Sequence, residues 1–282
     1  MRVCLWGTRG SIASAGPETM AYGGNTSCVE VEAEDGTILI LDAGTGIRRV
    51  GATFESPRRL DVMLTHLHMD HIQGLGFFGP FFRAEFEVHV WGPPSVTEDL
   101  RARLTRYLSP PLFPVRLRDV ESRLELHDVP LGPFTIGGLT VLGMSVIHPG
   151  QTLGYRITDG SGTGIRPTMA YLPDHEPALG SRAFPGDPQW TSGFDLANGA
   201  DLLLHDVQYT DREYASRVGW GHSRVSDAVA LAQLAGTRRL VTFHHDPAHD
   251  DVSLDAMLGD GQAQAREPLE VIGGKEGTTF WL

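Results

Sequence analysis

The chain is short of lysine and cysteine and contains no long apolar run. Lys275 is the only lysine among 23 basic residues, and the formal net charge is −12. Because no lysine-rich run is available to follow a phosphate backbone, we expect long nucleic acids to be poor substrates. A small anionic substrate stays open, since bound divalent cations can dominate the local field of a site.

Other absences bear on location and covalent structure. No run of about 18 apolar residues could span a bilayer, and the amino terminus lacks the basic and apolar regions of a signal peptide. We therefore expect a cytoplasmic protein with no membrane association. The two cysteines, Cys4 and Cys28, could lie on neighbouring strands, but without a secretion signal we expect reduced, buried thiols.

The pattern of apolar residues indicates an α/β protein. A 282-residue chain with 41% hydrophobic residues can bury one large core, so we expect a single domain over residues 1–282. Apolar β-branched runs separated by glycine and proline predict strands. The predicted strands are Arg2–Trp6, Ser27–Glu32, Thr37–Leu41, Leu60–Leu64, Glu87–Trp91, Leu139–Ile147, Leu153–Ile157, Thr168–Leu172, Leu202–Leu204 and Arg239–Phe243. We expect the first three to pair as neighbours.

Helices and loops are predicted between these strands. The helix patterns cover Pro94–Leu108, Arg224–Ala235 and Leu254–Ala265. Ser223 is the expected cap of the middle helix and Gly236 its stop. Ser109–Pro114 and Ser161–Pro167 are predicted to be surface loops rather than domain linkers.

A histidine-rich segment directly after a predicted strand carries the strongest chemical signal. Thr65-His66-Leu67-His68-Met69-Asp70-His71 follows Val62-Met63-Leu64. Alternation sends His66 and His68 to the same side of an extended segment, and Asp70 and His71 come where a helix could begin. Imidazoles suit zinc, copper, iron or nickel, and a carboxylate broadens the choice toward manganese, so zinc is favoured. The alternative is a histidine-rich helix cap.

Further candidate ligands follow other predicted strands. His148 follows Ile147, Asp174 follows the strand ending at Leu172, and His244 and His245 follow Phe243. Each of these residues could instead end a strand or cap a turn. Their recurrence after separate strands favours a shared metal site, in which the Asp174 carboxylate could bridge two cations.

These motifs resemble the signature of the metallo-β-lactamase superfamily over nearly the whole chain. The resemblance implies an αββα sandwich of two mixed β-sheets flanked by helices, with two Zn²⁺ ions (or Mn²⁺) and a bridging hydroxide. It implies one metal held by His66, His68, His148 and Asp174 and the other by Asp70, His71, Asp174 and His244. Asp42, in Leu41-Asp42-Ala43-Gly44, resembles the early supporting aspartate of the family, although it could be a turn residue.

Two later motifs resemble the RNase Z branch of the superfamily and favour phosphodiesters. Leu203-Leu204-His205-Asp206 resembles its histidine-acid motif, with aspartate where glutamate is usual, and Gly221-His222-Ser223 resembles its histidine-serine motif. The resemblance implies that His222 assists phosphoryl chemistry and that Asp206 orients it. A helix beginning near Ser223 would also favour an anion there.

The RNA-gripping arm of RNase Z has no counterpart here. That arm lies between the third histidine and the bridging aspartate, where this chain has only the stretch from Pro149 to Pro173, enough for two strands and a loop. The missing arm favours a small phosphodiester substrate. Gly7–Ser11, Tyr22–Ser27 and Phe243–Pro247 resemble a stand-alone bacterial branch similar to cyclic-nucleotide phosphodiesterases, including anti-Pycsar enzymes, which suggests a homodimer.

Hydrolysis of cyclic nucleotides, or of a related small cyclic phosphodiester, is the function we expect from the sequence. Asn25 and His245 are the candidate substrate contacts, and Arg9 and His175 are weaker ones. Three alternatives stay open. They are a hydrolase of another bond, such as a thioesterase or lactonase, an RNA-processing nuclease of the RNase Z kind, and a non-catalytic metal-binding regulator.

Overall fold

The protein is described from a computed structural model covering residues 1–164, 166–178 and 183–282. In chain order the strands are β1 (Arg2–Gly7), β2 (Cys28–Glu32), β3 (Ile38–Leu41), β4 (Arg59–Met63), β5 (Glu87–Gly92), β6 (Arg123–Asp128), β7 (Phe134–Ile136), β8 (Leu139–Ser145), β9 (Leu153–Asp159), β10 (Thr168–Leu172), β11 (Leu202–Asp206), β12 (Arg239–Phe243), β13 (Glu270–Gly273) and β14 (Thr279–Trp281).

Helices follow many of these strands. They are α1 (Ile47–Gly51), α2 (Met69–Ile72), α3 (Leu100–Thr105), α4 (Phe194–Ala197), α5 (Asp211–Tyr214), α6 (Val225–Leu234) and α7 (Asp251–Gln264), and short 3-10 segments lie elsewhere in the chain. Among the described residues, no helix is both long and apolar enough to cross a bilayer.

The strands form two mixed sheets, each of seven strands within the described part of the chain. The order in the first sheet is β14-β1-β2-β3-β4-β5-β6, and in the second it is β13-β12-β11-β10-β9-β8-β7. As the sequence predicts, β1, β2 and β3 pair as antiparallel neighbours. Strands β3 to β6 are parallel, as are β10 to β13, so several strand ends meet at one edge of each sheet.

Three buried clusters hold the layers together. The strands alternate their side chains: in β11, Leu202 and Leu204 enter the core between the sheets, whereas Leu203 packs on the helix side with Leu231 of α6. A third cluster lies between the first sheet and its helices, for example Val62 and Leu104. The result is the expected αββα sandwich of two sheets flanked by helices.

Several sequence predictions need correction. The predicted helix Pro94–Leu108 is only α3, because Asp99 caps its start by accepting a hydrogen bond from Ala102 N at 2.7 Å. The third helix begins earlier than predicted, with Asp250 as its cap. Strands β6, β7, β13 and β14 are absent from the predicted set.

The expected cap of the middle helix is also wrong. Ser223 does not cap α6; its Oγ donates to the carbonyl of His175 at 2.5 Å, and Arg224 occupies the cap position without a side-chain cap bond. Gly236 does end this helix, with φ +62 directly after Ala235.

Cys4 and Cys28 are free and buried, as expected. Ser109–Pro114 lies outside the helices and strands, and Ser161–Pro167 joins β9 to β10, although its Ile165 lies outside the described residues.

Candidate metal centre

The candidate metal ligands gather where strands of both sheets end. Strand β4 leads into His66 and His68, and helix α2 then carries Asp70 and His71. From the second sheet, His148 follows β8, Asp174 follows β10 and His244 follows β12. All seven predicted ligands are therefore brought together by the fold.

Their donor atoms form two adjacent groups. His66, His68 and His148 make one group and Asp70, His71, Asp174 and His244 the other, and within each group the donor atoms lie within 4.8 Å of one another. The side chains are buried except for His68, which is exposed.

Asp174 lies between the two groups. Its Oδ2 is 3.7 Å from His66 Nε2 and 3.6 Å from His148 Nε2. Its Oδ1 is 3.0 Å from His71 Nε2 and 3.2 Å from His244 Nε2. One carboxylate thus offers an oxygen to each group, as the sequence-based hypothesis of a bridging aspartate requires.

The electrostatics of the cluster fit divalent cations. Burial lowers the pKa of His66 and His148, and partial enclosure of its ring also lowers the pKa of the more exposed His68, which favours neutral imidazoles with lone pairs to donate. Burial acts to raise the pKa of Asp174, but His244, His71 and His66 hold it well below its usual range. His66 Nε2 and Asp174 Oδ1 are buried without a hydrogen-bond partner. Buried nitrogen and oxygen atoms that lack a hydrogen-bond partner can give a lone pair to a metal ion.

Each buried imidazole is also held by its second nitrogen. His71 Nδ1 donates to Asp42 Oδ2 at 2.8 Å, and His66 Nδ1 lies 3.0 Å from Thr65 Oγ1. On the other sheet, His148 Nδ1 donates to the Gly221 carbonyl at 2.9 Å. These contacts direct the Nε2 atoms of the three rings into the cluster.

Asp42 supports the centre from outside, as its sequence position suggests. Besides His71, its carboxylate accepts hydrogen bonds from Thr65 N at 2.7 Å and from Tyr171 Oη at 3.0 Å. Its backbone has φ +58, a conformation that places the carboxylate beneath the histidine-rich segment. Asp42 is therefore a supporting residue of the cluster.

His222 and Asp206 form the pair that the sequence predicts. His222 Nδ1 donates to Asp206 Oδ2 at 2.7 Å, so the shorter acid does make the contact. The His222 ring stacks on His244 at 5.0 Å between centroids and meets the edge of His148 at 4.9 Å. His222 thus lies against both ligand groups.

The charge of His222 depends on its neighbours. Burial lowers the pKa of His222, but the charge and hydrogen bond of Asp206, with Asp174 and Asp70 further away, raise it to about 9. Asp206 is completely buried and also accepts hydrogen bonds from His175 N at 3.1 Å and Gln208 N at 2.9 Å. Three donors, His222 Nδ1, His175 N and Gln208 N, therefore fix the position of this carboxylate.

Two residues that the sequence did not indicate fix this arrangement. Gln208 Oε1 accepts a hydrogen bond from His244 Nδ1 at 3.0 Å. Glu176, fully buried after β10, accepts hydrogen bonds from Gly219 N and Gly221 N, both at 2.8 Å. Glutamate and glutamine are too common for their positions to mark them, although the Gly-Trp-Gly run before His222 signals a tight turn.

Glu176 and His148 together clamp Gly221, the residue before His222. Glu176 binds its N–H, and His148 binds its carbonyl. Gly221 has φ +88, and a Cβ there would lie 2.2 Å from Pro149 Cδ. The backbone next to His222 is therefore hydrogen-bonded directly to a candidate metal ligand. Only glycine can occupy position 221, because any side chain would overlap with Pro149.

The candidate substrate contacts are all engaged within the chain. Asn25 binds the Glu276 carboxylate through its N–H and through Nδ2, at 2.5 and 2.9 Å. His245 is buried, with Nε2 3.0 Å from the Gly274 carbonyl, and its burial lowers its pKa to about 3. These contacts give both side chains structural partners, and their substrate role stays a prediction.

The two weaker candidates are enclosed. Arg9 is fully buried, and its guanidinium donates to the carbonyls of Gly23 and His249 at 2.9 and 2.6 Å. His175 is also fully buried, with Nδ1 2.9 Å from His205 Nε2. These contacts give both side chains structural partners, and a substrate role for either residue stays a prediction.

A family model described as "Beta-lactamase superfamily domain" matches residues 37–245. The chain belongs to this superfamily, and the two seven-stranded sheets with flanking helices are its metallo-β-lactamase fold. It is a metal-dependent hydrolase. The family resemblance drawn from the sequence motifs is thereby confirmed.

Among curated proteins, a ribonuclease Z of Myxococcus xanthus is 28% identical, covering 88% of this chain and 89% of that protein. Protein Rv1339 of Mycobacterium tuberculosis is 26% identical over 96% of this chain and 89% of its own length. The solved structure of YhfI from Bacillus subtilis has a TM-score of 0.70 at 20% identity, with 99% of both chains covered. Yeast PDE1 has a TM-score of 0.65 at 15% identity, over 100% of this chain and 99% of PDE1. At these identities the structures show a shared fold.

Proposed function

We propose that the protein is a phosphodiesterase that hydrolyses cyclic nucleotides or a related small cyclic phosphodiester with two bound zinc ions. The observation that carries this proposal is the His222–Asp206 pair, which is joined by a 2.7 Å hydrogen bond. The His222 ring of this pair lies against a histidine of each metal-ligand group. A hydrolase acting on a thioester or lactone needs the metal ligands but has no need of this pair.

The seven ligands divide between two ions. His66, His68 and His148 would hold one ion and Asp70, His71 and His244 the other, with Asp174 shared. When bound, the cations lower the pKa of a water molecule toward about 7 and neutralise charge on phosphoryl oxygens. Manganese is an alternative for this mixed nitrogen and oxygen donor set.

His222 acts on the departing oxygen. Its Nδ1 is held by Asp206, so Nε2 is the nitrogen left to donate a hydrogen bond or a proton. Asp206 keeps the ring oriented and favours its charged form. The alkoxide that leaves a cyclic nucleotide is strongly basic, which makes this donor useful.

Substrate size follows from the segment between His148 and Asp174. In its described part, this segment contains β9 and β10, which pair as an antiparallel hairpin (Thr168 opposite Thr158), and the joining loop. Two strands and a loop are too short to contain an RNA-gripping arm. The net charge of −12 also repels polyanions.

RNA 3′-processing is the second candidate, favoured by the ribonuclease Z relative that matches most of the chain. A panel of cyclic mononucleotides, cyclic dinucleotides, bis-p-nitrophenyl phosphate, a thioester, a lactone and precursor tRNA separates the possibilities. We expect the small cyclic phosphodiesters to be cleaved far better than precursor tRNA, with no turnover by Asp174→Ala. Preferential cleavage of tRNA, thioester or lactone would overturn the proposal.

We also propose that the enzyme works as a cytoplasmic homodimer without membrane association, on the basis of the sequence alone. Light scattering coupled to gel filtration tests the dimer, since a mass near 61 kDa is twice the 30.7 kDa of one chain. A 30.7 kDa species at working concentration would refute it.

A further inference from the structure

A second group of metal-ligating side chains lies on the first sheet and shares no residue with the centre described above. Strands β5 and β6 are parallel neighbours in which His89 is opposite Glu125 and Trp91 is opposite His127. Val88 and Val90 pack toward the helices, so His89 points to the other face of the sheet. His89, Glu125 and His127 meet on that face.

The geometry of this group is that of a three-ligand site. His89 Nδ1 lies 2.8 Å from His127 Nε2 and 4.0 Å from Glu125 Oε2. The three donor atoms lie within 4.8 Å of one another. His89 is only 5% exposed, whereas His127 and Glu125 are half-buried, so an ion can enter from the solvent side.

Neighbouring groups orient each donor. His89 Nε2 donates to Glu87 Oε1 at 2.7 Å, which fixes the tautomer and leaves the Nδ1 lone pair facing His127. Trp91 stacks on the His127 ring at 4.2 Å between centroids. Arg123 binds Glu125 Oε1 at 2.6 Å and leaves Oε2 for the cluster.

The charge of the cluster also favours a cation. Glu87 and Glu125 bring two negative charges, and Arg123, which contacts both, brings one positive charge. Arg59 and Asp61 nearby pair with each other at 2.8 Å and add no net charge, so the charged side chains around the two imidazoles sum to −1. A carboxylate that orients a histidine whose other nitrogen faces a second imidazole is the arrangement found around protein-bound zinc.

We propose that His89 Nδ1, His127 Nε2 and Glu125 Oε2 bind one transition-metal ion of the zinc class. At bond lengths of about 2.0–2.1 Å, tetrahedral ligation places two nitrogens about 3.3 Å apart. The rings therefore need to separate only slightly from 2.8 Å. Glu125 closes its longer gap by a side-chain rotation, and water takes the fourth position. The ion takes the place of the hydrogen between the two rings: His127 Nε2 gives up its proton to solvent and its Nδ1 takes one up, so that Nε2 is free to bind the ion.

The position of the site indicates a structural role. Among the strands that the structure describes, β6 is the outermost of the first sheet and pairs with β5 alone. Outer strands expose unpaired backbone groups that can recruit other chains. An ion joining β5 to β6 pins this edge of the sheet, and binding to the folded state alone stabilises that state.

Metal titration of the apoprotein tests the proposal. Protein stripped with a chelator is titrated with Zn²⁺ and, separately, with Co²⁺, whose visible absorption reports each equivalent bound. We expect three equivalents in the wild type and two in His127→Ala. Asp128→Asn, on the same strand but outside the cluster, is the matched control and should bind three.

Two further variants keep the test decisive. Glu125→Gln should weaken the third equivalent without removing a ring, which covers the case in which His127→Ala fails to fold. Asp174→Ala should lose metal at the central site and keep the equivalent bound by His127. The titration therefore distinguishes a wrong assignment of the central site from a wrong assignment of the third site. Saturating Zn²⁺ should raise the unfolding temperature of wild type by a few degrees more than that of His127→Ala. Identical isotherms for wild type, His127→Ala and Glu125→Gln would leave only a histidine-histidine hydrogen bond and overturn the proposal.

Discussion

His222→Ala is the variant that separates catalysis from metal binding. If His222 donates to the departing oxygen, its loss should lower turnover of a cyclic nucleotide by roughly 10²- to 10⁴-fold, the range for a positioned general acid. Bis-p-nitrophenyl phosphate expels p-nitrophenolate, which leaves without a proton. The variant should therefore lose much less activity on this activated ester than on the cyclic nucleotide.

The structure also sets how much stability the substitution costs. In His222→Ala, Asp206 loses the 2.7 Å hydrogen bond but keeps those from His175 N and Gln208 N. A hydrogen bond to a charged group contributes about 1.5–3 kcal/mol, so we expect the free energy of unfolding to fall by about that amount. The unfolding temperature should drop by several degrees while the protein stays folded.

The assay compares kcat for the two substrates at saturating zinc, with metal content measured on the same samples. Asp206→Asn should show the same dependence on the leaving group in a milder form. The double variant should lose less than the product of the two single effects, because the two side chains act as a unit. Loss of a metal ion from His222→Ala, or equal slowing of both substrates, would show that His222 is a ligand or a general binding residue.

Three further predictions follow from the centre and its supports. Asp174→Ala should empty both metal positions of the centre together, whereas Asp70→Ala should mainly weaken one. Elemental analysis measures this in a His127→Ala background, which removes the proposed third metal site. Loss of one ion without the other in Asp174→Ala would refute a shared ligand. Gly221→Ala should lower the free energy of unfolding by about 2–5 kcal/mol, from the positive φ together with the overlap with Pro149. Gly219→Ala, with φ +86 and nothing within 4 Å of the added Cβ, should lose only about 1–2 kcal/mol, and equal losses in chemical denaturation would contradict the clamp. The Glu176→Gln variant should keep its metal content, but kcat should fall more than KM changes, because the substitution loosens the turn that presents His222. Loss of metal from this variant would instead show that Glu176 supports the ligand His148.

The sequence predicted the ligand-bearing strands well, because each is a run of apolar residues that stops at a histidine or aspartate. Strand β10 and strand β12 were predicted with the bounds they have. Strands β7 and β14 have only three residues each, too few for alternation to register. Strand β6 has a charged residue at each end and lies at a sheet edge, where the apolar signal is weak.

The supports of the site were harder to predict than its ligands. Glu176 binds backbone N–H groups of the turn before α6, and Gln208 binds the ring of His244; both partners reach them only once β10, β11 and β12 are assembled. Ser223 looked like a helix cap because its position one residue before the cap is indistinguishable in sequence from the cap itself. The burial of Arg9 could not be predicted, because the backbone carbonyls that bind its guanidinium come from distant parts of the chain.

The central ligands come from both sheets, so the time at which the metal centre can assemble depends on how much of the chain has been synthesised. Asp70 and His244 belong to one ligand group but are 174 residues apart in the chain. During synthesis the histidine-rich segment emerges long before His148, Asp174 and His244, with local donors already able to chelate an ion. Since contacts this distant form late in folding, the complete centre can assemble only after nearly the whole chain has been released. Metal supply would therefore act on finished chains, and scarcity of the proposed ions should leave full-length protein with an empty centre.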